Sequence, residues 1–375
     1  MGGKARVADL TAALRMRGVP ALLVTNLFDV RYLTGFTGSN AALVVLAGVR
    51  GSARLFTDGR YTAQARQQVQ GATVRVAPRS ALAEACVYAA ASAATCGFDR
   101  GQTTVASLAA MRVAARKAGA GSGFFKPVDG AVAALREVKD AAEINQMRRA
   151  AALTCGLYEG LLGWMEAGMR ERDVAAELEH RARLAGADGM SFETIVASGE
   201  RGSQPHARAT DAVIQRGDLL TLDFGIVLDG YCSDMTRTVA FGFGDGSVPR
   251  KLQARWTEQR AIFDAVLAAQ DAAVAAVRPG VTCGSVDDAA RALLKSAGFG
   301  KYFTHSTGHG VGIEIHEAPR VARGQTHVLR TGEVITIEPG VYLPDRYGVR
   351  IEDTVLVTAS GVEVLTPVHK GWLEL

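Results

Sequence analysis

Gly217-Asp218-Leu219-Leu220-Thr221-Leu222-Asp223-Phe224-Gly225, followed by Ser233-Asp234-Met235-Thr236, decides how this chain is read, because it is written twice. The second copy is Gly332-Glu333-Val334-Ile335-Thr336-Ile337-Glu338-Pro339-Gly340, followed by Ile351-Glu352-Asp353-Thr354. Gly, Thr and Gly fall in register, and each copy carries an acid at two matching places: Asp223 with Glu338, and Asp234 with Glu352. A carboxylate inside an apolar strand is costly unless something positive meets it. Four of them, from two copies, point to metal.

The first pair can be given a geometry. Asp229-Gly230 between alternating apolar runs is a hairpin signal. A two-residue turn there pairs Leu228 with Tyr231, which sets Asp223 opposite Thr236 and Asp234 opposite Gly225. Both acids then share one face as diagonal neighbours, about 7–8 Å apart at the backbone. Gly225 is expected to leave room opposite Asp234. Leu220, Leu222, Phe224 and Ile226 point the other way, into packed structure.

Working outward, the same order of elements surrounds each copy. Helical patterns at 131–164 and 172–185 precede the first set of strands, and helical patterns at 252–277 and 285–297 precede the second. This is an internal duplication within one domain, not a solenoid, which needs more and shorter repeats. Ahead of it, short apolar runs at 21–24, 42–46, 53–56, 73–76 and 96–98 alternate with alanine-rich helical stretches. The chain is therefore expected to be α/β, with a small mixed-sheet domain at 1–128 and the duplicated domain at 129–375.

Histidines form a third group. His305, His309 and His316 lie in His305-Ser306-Thr307-Gly308-His309-Gly310-Val311-Gly312-Ile313-Glu314-Ile315-His316. The glycines argue for a tight loop or distorted strand over a helix, and the pattern is not the His-Glu-x-x-His zinc helix. His206 stands in a polar loop just upstream of the acid hairpin. Two divalent cations would neutralise four carboxylates. Oxygen-rich ligands of this kind suit Mn²⁺, with Zn²⁺, Co²⁺ and Fe²⁺ also accommodated, and such a pair activates water against a carbonyl.

Bulk properties exclude other classes. The 375 residues are 48% hydrophobic and 21% charged, with a formal charge of +4 and no basic run, so nucleic acid is not the expected partner. Five scattered cysteines, none in a C-x-x-C pair, fit reduced thiols in a cytoplasm. No secretory signal is visible, and no apolar run reaches the ~18 residues of a membrane span.

Leu222-Asp223-Phe224-Gly225, Gly308-His309-Gly310, Ile337-Glu338-Pro339-Gly340 and Arg350-Ile351-Glu352-Asp353 together resemble the pita-bread metallopeptidases. Arg31-Tyr32-Leu33-Thr34-Gly35-Phe36-Thr37-Gly38-Ser39-Asn40 and Phe56-Thr57-Asp58-Gly59-Arg60-Tyr61 resemble the creatinase-like N-terminal domain that some of them carry. The resemblance covers nearly the whole chain and points to the Xaa-Pro peptidases, with Xaa-Pro dipeptidase (prolidase) favoured over aminopeptidase P. It implies Asp223, Asp234, His309, Glu338 and Glu352 as ligands of two metal ions, with Asp234 and Glu352 bridging. Glu338 is implied as proton acceptor, and His206, His305, His316 and Arg350 as catalytic or substrate-pocket residues. Tyr342 matches a tyrosine near the site. The cations considered for the carboxylate of a Xaa-Pro dipeptide are His305, Arg350 and Arg323.

The resemblance further implies a homodimer paired through the N-terminal domains, in which the Gly35–Asn40 loop reaches a partner's active site. Methionine aminopeptidase usually lacks the N-terminal domain, creatinase is metal-free, and a non-catalytic binding protein on this fold should have lost ligands that this chain keeps.

Overall fold

The computed structural model describes residues 2–48, 52–243 and 247–375. Its contacts divide into two compact units, Met1–Arg136 and Glu137–Leu375.

The first unit is a six-stranded mixed sheet. Its strands are β1 (Ala21–Val24), β2 (Ala41–Leu46), β3 (Ala53–Thr57), β4 (Thr73–Val76), β5 (Cys96–Asp99) and β6 (Phe125–Val128), in the spatial order β4-β3-β2-β1-β5-β6. Five of these are the five apolar runs of the sequence. β6 reads Phe-Lys-Pro-Val, and its proline conceals it. It is tolerated because β6 lies at the sheet edge. The 35–40 loop is held by hydrogen bonds within the unit. Asn40 Nδ2 donates to Asp58 Oδ2 at 2.6 Å, Ser39 and Tyr61 hydroxyls lie 2.6 Å apart, and Thr37 N donates to Gln68 Oε1 at 3.0 Å. The two motifs of the first unit thus form one constraint.

The second unit carries the duplication. Helices Ala141–Leu162 and Glu171–Leu184 pack on strands Ile195–Ser198, Leu219–Phe224 and Met235–Ala240, around Leu178, Leu220, Leu222 and Phe224. Helices Gln253–Ala276 and Cys283–Ser296 pack on strands Val334–Ile337 and Asp353–Thr358, around Phe263, Val286, Ile335 and Val355. Leu220, Leu222, Phe224 and Ile226 are all fully buried, each contributing about 1.5–3 kcal/mol through removal from water. That face of the acid hairpin is therefore anchored, and the acid face is fixed with it.

The sequence pattern at 131–164 is not one helix. A short helix, Ala133–Glu137, ends, and the next begins at Ala141. Asp140 caps it: its Oδ1 accepts from the amides of Ala142 and Glu143, while the Glu143 carboxylate accepts from Asp140 N. This reciprocal capping stops helical continuity, and it frees Val138 to bridge to Glu333.

Hairpin register agrees with the sequence reading. Leu228 pairs with Tyr231 and Asp223 with Thr236, across a turn in which Asp229 and Gly230 have φ of 48° and 80°. Gly225 plays a different part from the one expected. A Cβ there would meet Ser233 O at 1.8 Å and Ser191 Oγ at 2.4 Å. The missing side chain admits backbone, not a ligand, and it marks the kink between strands Leu219–Phe224 and Ile226–Leu228.

Candidate metal centre

Each acid sits at or beside the end of a strand that is hydrogen-bonded into one of the two halves. Asp223 is within Leu219–Phe224, and Asp234 immediately precedes Met235–Ala240. Glu338 immediately follows Val334–Ile337, and Glu352 immediately precedes Asp353–Thr358. The halves are stitched together at the acids themselves. Thr236, two residues past Asp234, donates its hydroxyl to Glu352 Oε2 at 2.6 Å. Thr354, two residues past Glu352, donates to Asp234 O at 2.8 Å. Glu352 N donates to Thr236 O at 3.1 Å. The duplication seen in sequence is thus a reciprocal seam in space.

His309 completes the cluster from strand Gly308–Gly310. Ligand atoms of Asp234, His309 and Glu352 lie within 4.8 Å of one another. His309 Nε2 is 3.6 Å from Asp234 Oδ2 and 3.4 Å from Glu338 Oε1. Its Nδ1 faces Gly310 O at 3.0 Å, which assigns the ring proton to Nδ1 and leaves the Nε2 lone pair facing the acids. Desolvation lowers the His309 pKa to about 4, so the ring is neutral.

The donors fit divalent cations. Asp223 Oδ1 is buried and accepts no hydrogen bond among the described residues, whereas Oδ2 takes one from Arg350 Nη2 at 2.5 Å. A buried bare carboxylate oxygen costs about 1–3 kcal/mol or more if nothing meets it. Burial raises the pKa of Asp234 and Glu352 well above the usual carboxylate range; repulsion from Glu352 adds to it at Asp234, and repulsion from Glu338 and Asp223 adds to it at Glu352. Burial, joined by the charge of Asp223, pushes Glu338 to about 8. Four crowded acids with one imidazole lone pair are short of positive charge.

A second group, Glu137, His327 and Glu333, has ligand-like spacing. There Arg330 already supplies the cation, with its guanidinium 2.9 Å from Glu333 and 2.5 Å from Glu137.

A cleft of about 640 Å³ opens onto the acids. Phe192, Ile195, Pro205 and Ile315 give it apolar walls, and His206, His305 and His316 all line it. His206 and His316 are exposed. His316 packs edge-on to His309, with ring centroids 4.4 Å apart. His305 is more constrained. Nδ1 donates to Ser306 O at 2.8 Å, and Nε2 accepts from the Tyr342 hydroxyl at 2.9 Å. Arg350 Nη1 in turn donates to that hydroxyl at 2.7 Å. Desolvation, reinforced by the Arg350 charge, lowers the His305 pKa to about 4. Arg350, Tyr342 and His305 thus form a relay of fixed dipoles from Asp223 to the cleft wall.

The sequence reading considered His305, Arg350 and Arg323 as cations for a substrate carboxylate and passed over Arg320. Arg320 lines the cleft, is exposed, and has no acidic partner among the described residues. It pairs directly across from His309 in the sheet. Arg350 is committed to Asp223 and Tyr342, and Arg323 lines a different cavity. No period in the sequence places Arg320: the ladder slips between its pairing with His309 and that of Glu317 with Gly310, so alternation along this segment does not predict its face.

Comparison with known proteins agrees with this architecture. Residues 145–359 match the model of metallopeptidase family M24, and residues 6–138 match the creatinase/prolidase N-terminal domain. A Xaa-Pro dipeptidase of Pyrococcus furiosus is 42% identical over 249 residues, 66% of this chain and 68% of that one. The solved structure of a Xaa-Pro dipeptidase from Bacillus anthracis superposes with a TM-score of 0.90 at 35% identity, covering 100% of both chains. An X-Pro aminopeptidase from Thermotoga maritima gives a TM-score of 0.83 at 30% identity, covering 97% of this chain and 100% of that one. With pita-bread architecture, duplicated acid strands and a matching N-terminal domain, the chain belongs to metallopeptidase family M24.

Proposed function

We propose that the chain hydrolyses Xaa-Pro dipeptides, with Asp223, Asp234, His309, Glu338 and Glu352 holding two divalent cations, manganese the best match to an oxygen-rich ligand set. When bound, the cations supply Lewis acidity and an acidified water. The observation that carries the reading is the convergence of these five side chains, Asp223 Oδ1 bare among them, beside an apolar-walled cleft.

The chain's own residues supply the rest. Glu338, with Oε1 3.4 Å from His309 Nε2, would accept and return a proton at its carboxylate once cations occupy the site. Arg350 orients Asp223 and, through Tyr342, keeps His305 neutral and fixed. His206 and His316 face the space where a carbonyl oxygen would acquire charge. Phe192, Ile195, Pro205 and Ile315 offer a surface to the proline ring. The Xaa-Pro bond lacks an N–H, so a site that grips the substrate elsewhere loses nothing by it.

Arg320 is the residue that favours a dipeptidase. Its guanidinium, on the wall of the cleft and without an acidic partner among the described residues, is suited to bidentate recognition of a free proline carboxylate. A longer peptide has an amide at that place. The reading is tested by comparing turnover of Xaa-Pro with Xaa-Pro-Yaa. Equal or faster release of Xaa from the tripeptide would make the chain an aminopeptidase P instead.

The protein is further read as a cytoplasmic homodimer paired through its N-terminal domains. Five free, buried cysteines suit a reducing compartment. The hydrogen-bonded 35–40 loop is suited to meeting a partner's active site. Light scattering of the purified protein would reveal a monomer if the pairing is wrong, and deletion of the loop should alter substrate-length preference.

A further inference from the structure

A second cavity, of about 360 Å³, lies in the catalytic unit beyond the end of helix Cys283–Ser296. Arg291, Lys295, Lys301 and Arg323 line it, and no acidic side chain does. Arg291 is answered from behind by buried Asp287, with Nε to Oδ2 at 2.6 Å. Lys295, Lys301 and Arg323 are exposed and have no acidic partner among the described residues. The cavity therefore presents three uncompensated cations around one hollow. Lys295 complements the C-terminal end of its helix and Lys301 lies 4.8 Å from the Tyr302 ring centroid, but neither contact supplies a countercharge, and like charges so placed repel.

We propose that this cavity binds a small soluble anion carrying two phosphoryl groups. Each phosphoryl carries about −1.5 to −2 at neutral pH, so a diphosphate matches three free cations where a single phosphate leaves charge over. The side chains also divide the work. Arg323 supplies a planar fork for two oxygens of one group, and the lysines act as mobile point charges for the other. Arg291 gives the site a floor: its guanidinium stacks on buried Phe303, 4.1 Å from the ring centroid, and donates to Phe303 O at 3.2 Å and His305 O at 2.5 Å. The anion site thus shares a wall with the segment that carries His305 to the cleft, although its ligand class is unrelated to the peptide substrate.

The test is calorimetric titration of pyrophosphate into desalted, metal-loaded protein and into the Lys295→Glu/Lys301→Glu variant. Metal-centred binding of pyrophosphate appears equally in both, so the difference isolates the cavity. Both lysines are exposed and line this cavity and not the acid cleft, so peptidase activity serves as the control and should stay unchanged. Affinity at one site is expected to fall roughly 10–100-fold in the variant, and Arg323→Ala should weaken the same site. Identical isotherms for wild type and variant would overturn the proposal. Sulfate binding as tightly as pyrophosphate would overturn the assignment to a diphosphate.

Discussion

Arg237 and Asp353 form an ion pair sealed inside the catalytic unit, Nη2 to Oδ1 at 2.7 Å, with both residues 1% exposed. Arg237 follows Thr236 on the strand Met235–Ala240 that Asp234 immediately precedes, and Asp353 follows Glu352. The same guanidinium donates to the carbonyls of Glu352, Thr236 and Thr366. Burial alone would raise the Asp353 pKa; Arg237 and Lys370 overcome that and hold it below the ordinary value. The pair therefore fixes the distance between the two halves at the point where their acids meet.

Removing one partner leaves a buried charge and several orphaned carbonyls. Arg237→Met should cost about 3–5 kcal/mol and lower Tm by roughly 6–20 °C. Metal stoichiometry should fall with it, because Glu352 loses its backbone anchor. Scanning calorimetry and elemental analysis of the variant measure both, and an unchanged Tm would show that the pair is not structural.

How far the sequence revealed this site follows from how local each feature is. The Asp229-Gly230 turn dictates register for six residues on either side, so the relation of Asp223 to Asp234 was legible. The Asp140–Glu143 capping box was also local, but the run of helix formers around it hid the break. Gly225 was legible as special, yet whether it admits a ligand or a backbone depends on Ser191 and Ser233. The Arg350–Tyr342–His305 relay joins residues 37 apart in sequence by side-chain geometry alone, and no periodicity encodes it. Arg320 and Arg323 are three residues apart, and only the strand pairing of Arg320 with His309 shows that they line different cavities.

Without metal, the acid cluster should make stability fall as pH rises. Asp234, Glu338 and Glu352 have folded pKa values above their ordinary ones, Glu338 near 8. The folded state therefore binds more protons than the unfolded state, and the associated stability is lost as pH climbs through the folded values. His305 and His309 act oppositely, but only between about 4 and 6.5, where the unfolded rings are charged and the folded ones neutral. From pH 6.5 to 8 the carboxylates act alone. Chelator-stripped protein should lose Tm across that window and metal-loaded protein should not, since cations replace the protons. Parallel melting curves for the two forms would contradict this.

Glu338→Gln keeps shape and hydrogen bonding but cannot take a proton, and it removes one ligand charge. Activity should drop about 10²–10⁴-fold, and metal content should fall to less than full occupancy. Asp234→Ala, at the seam of both halves, should abolish hydrolysis. Proline release at saturating substrate, paired with metal analysis, separates a lost proton acceptor from a lost cation.

Gly310 allows the His309 strand to approach its neighbour. A Cβ there would meet Ala318 O at 2.2 Å and Ala318 C at 2.5 Å, contacts that only backbone movement relieves. Gly310→Ala should displace His309 from Asp234 and Glu338. The expected result is a weakened metal affinity with Asp223 and Arg350 still paired, measured as a shifted metal-titration midpoint in the melting temperature. A midpoint equal to wild type would mean the strand tolerates the push.

On the proposed reading, Arg320 is the residue that distinguishes a dipeptide from a longer substrate. Its guanidinium has no acid to hold it among the described residues, whereas Arg208, also on the cleft, is engaged by Glu193 at 2.9 Å. A hydrogen-bonded ion pair to a substrate carboxylate is worth about 1.5–3 kcal/mol, so Arg320→Ala should lower kcat/KM for Xaa-Pro roughly 10–100-fold. The loss should appear mainly in KM, because the carboxylate is bound equally in ground and transition states. Xaa-Pro-amide, which offers no carboxylate, should be unaffected by the substitution. Equal losses on the acid and the amide would assign Arg320 to the shape of the cleft and leave carboxylate recognition to another group.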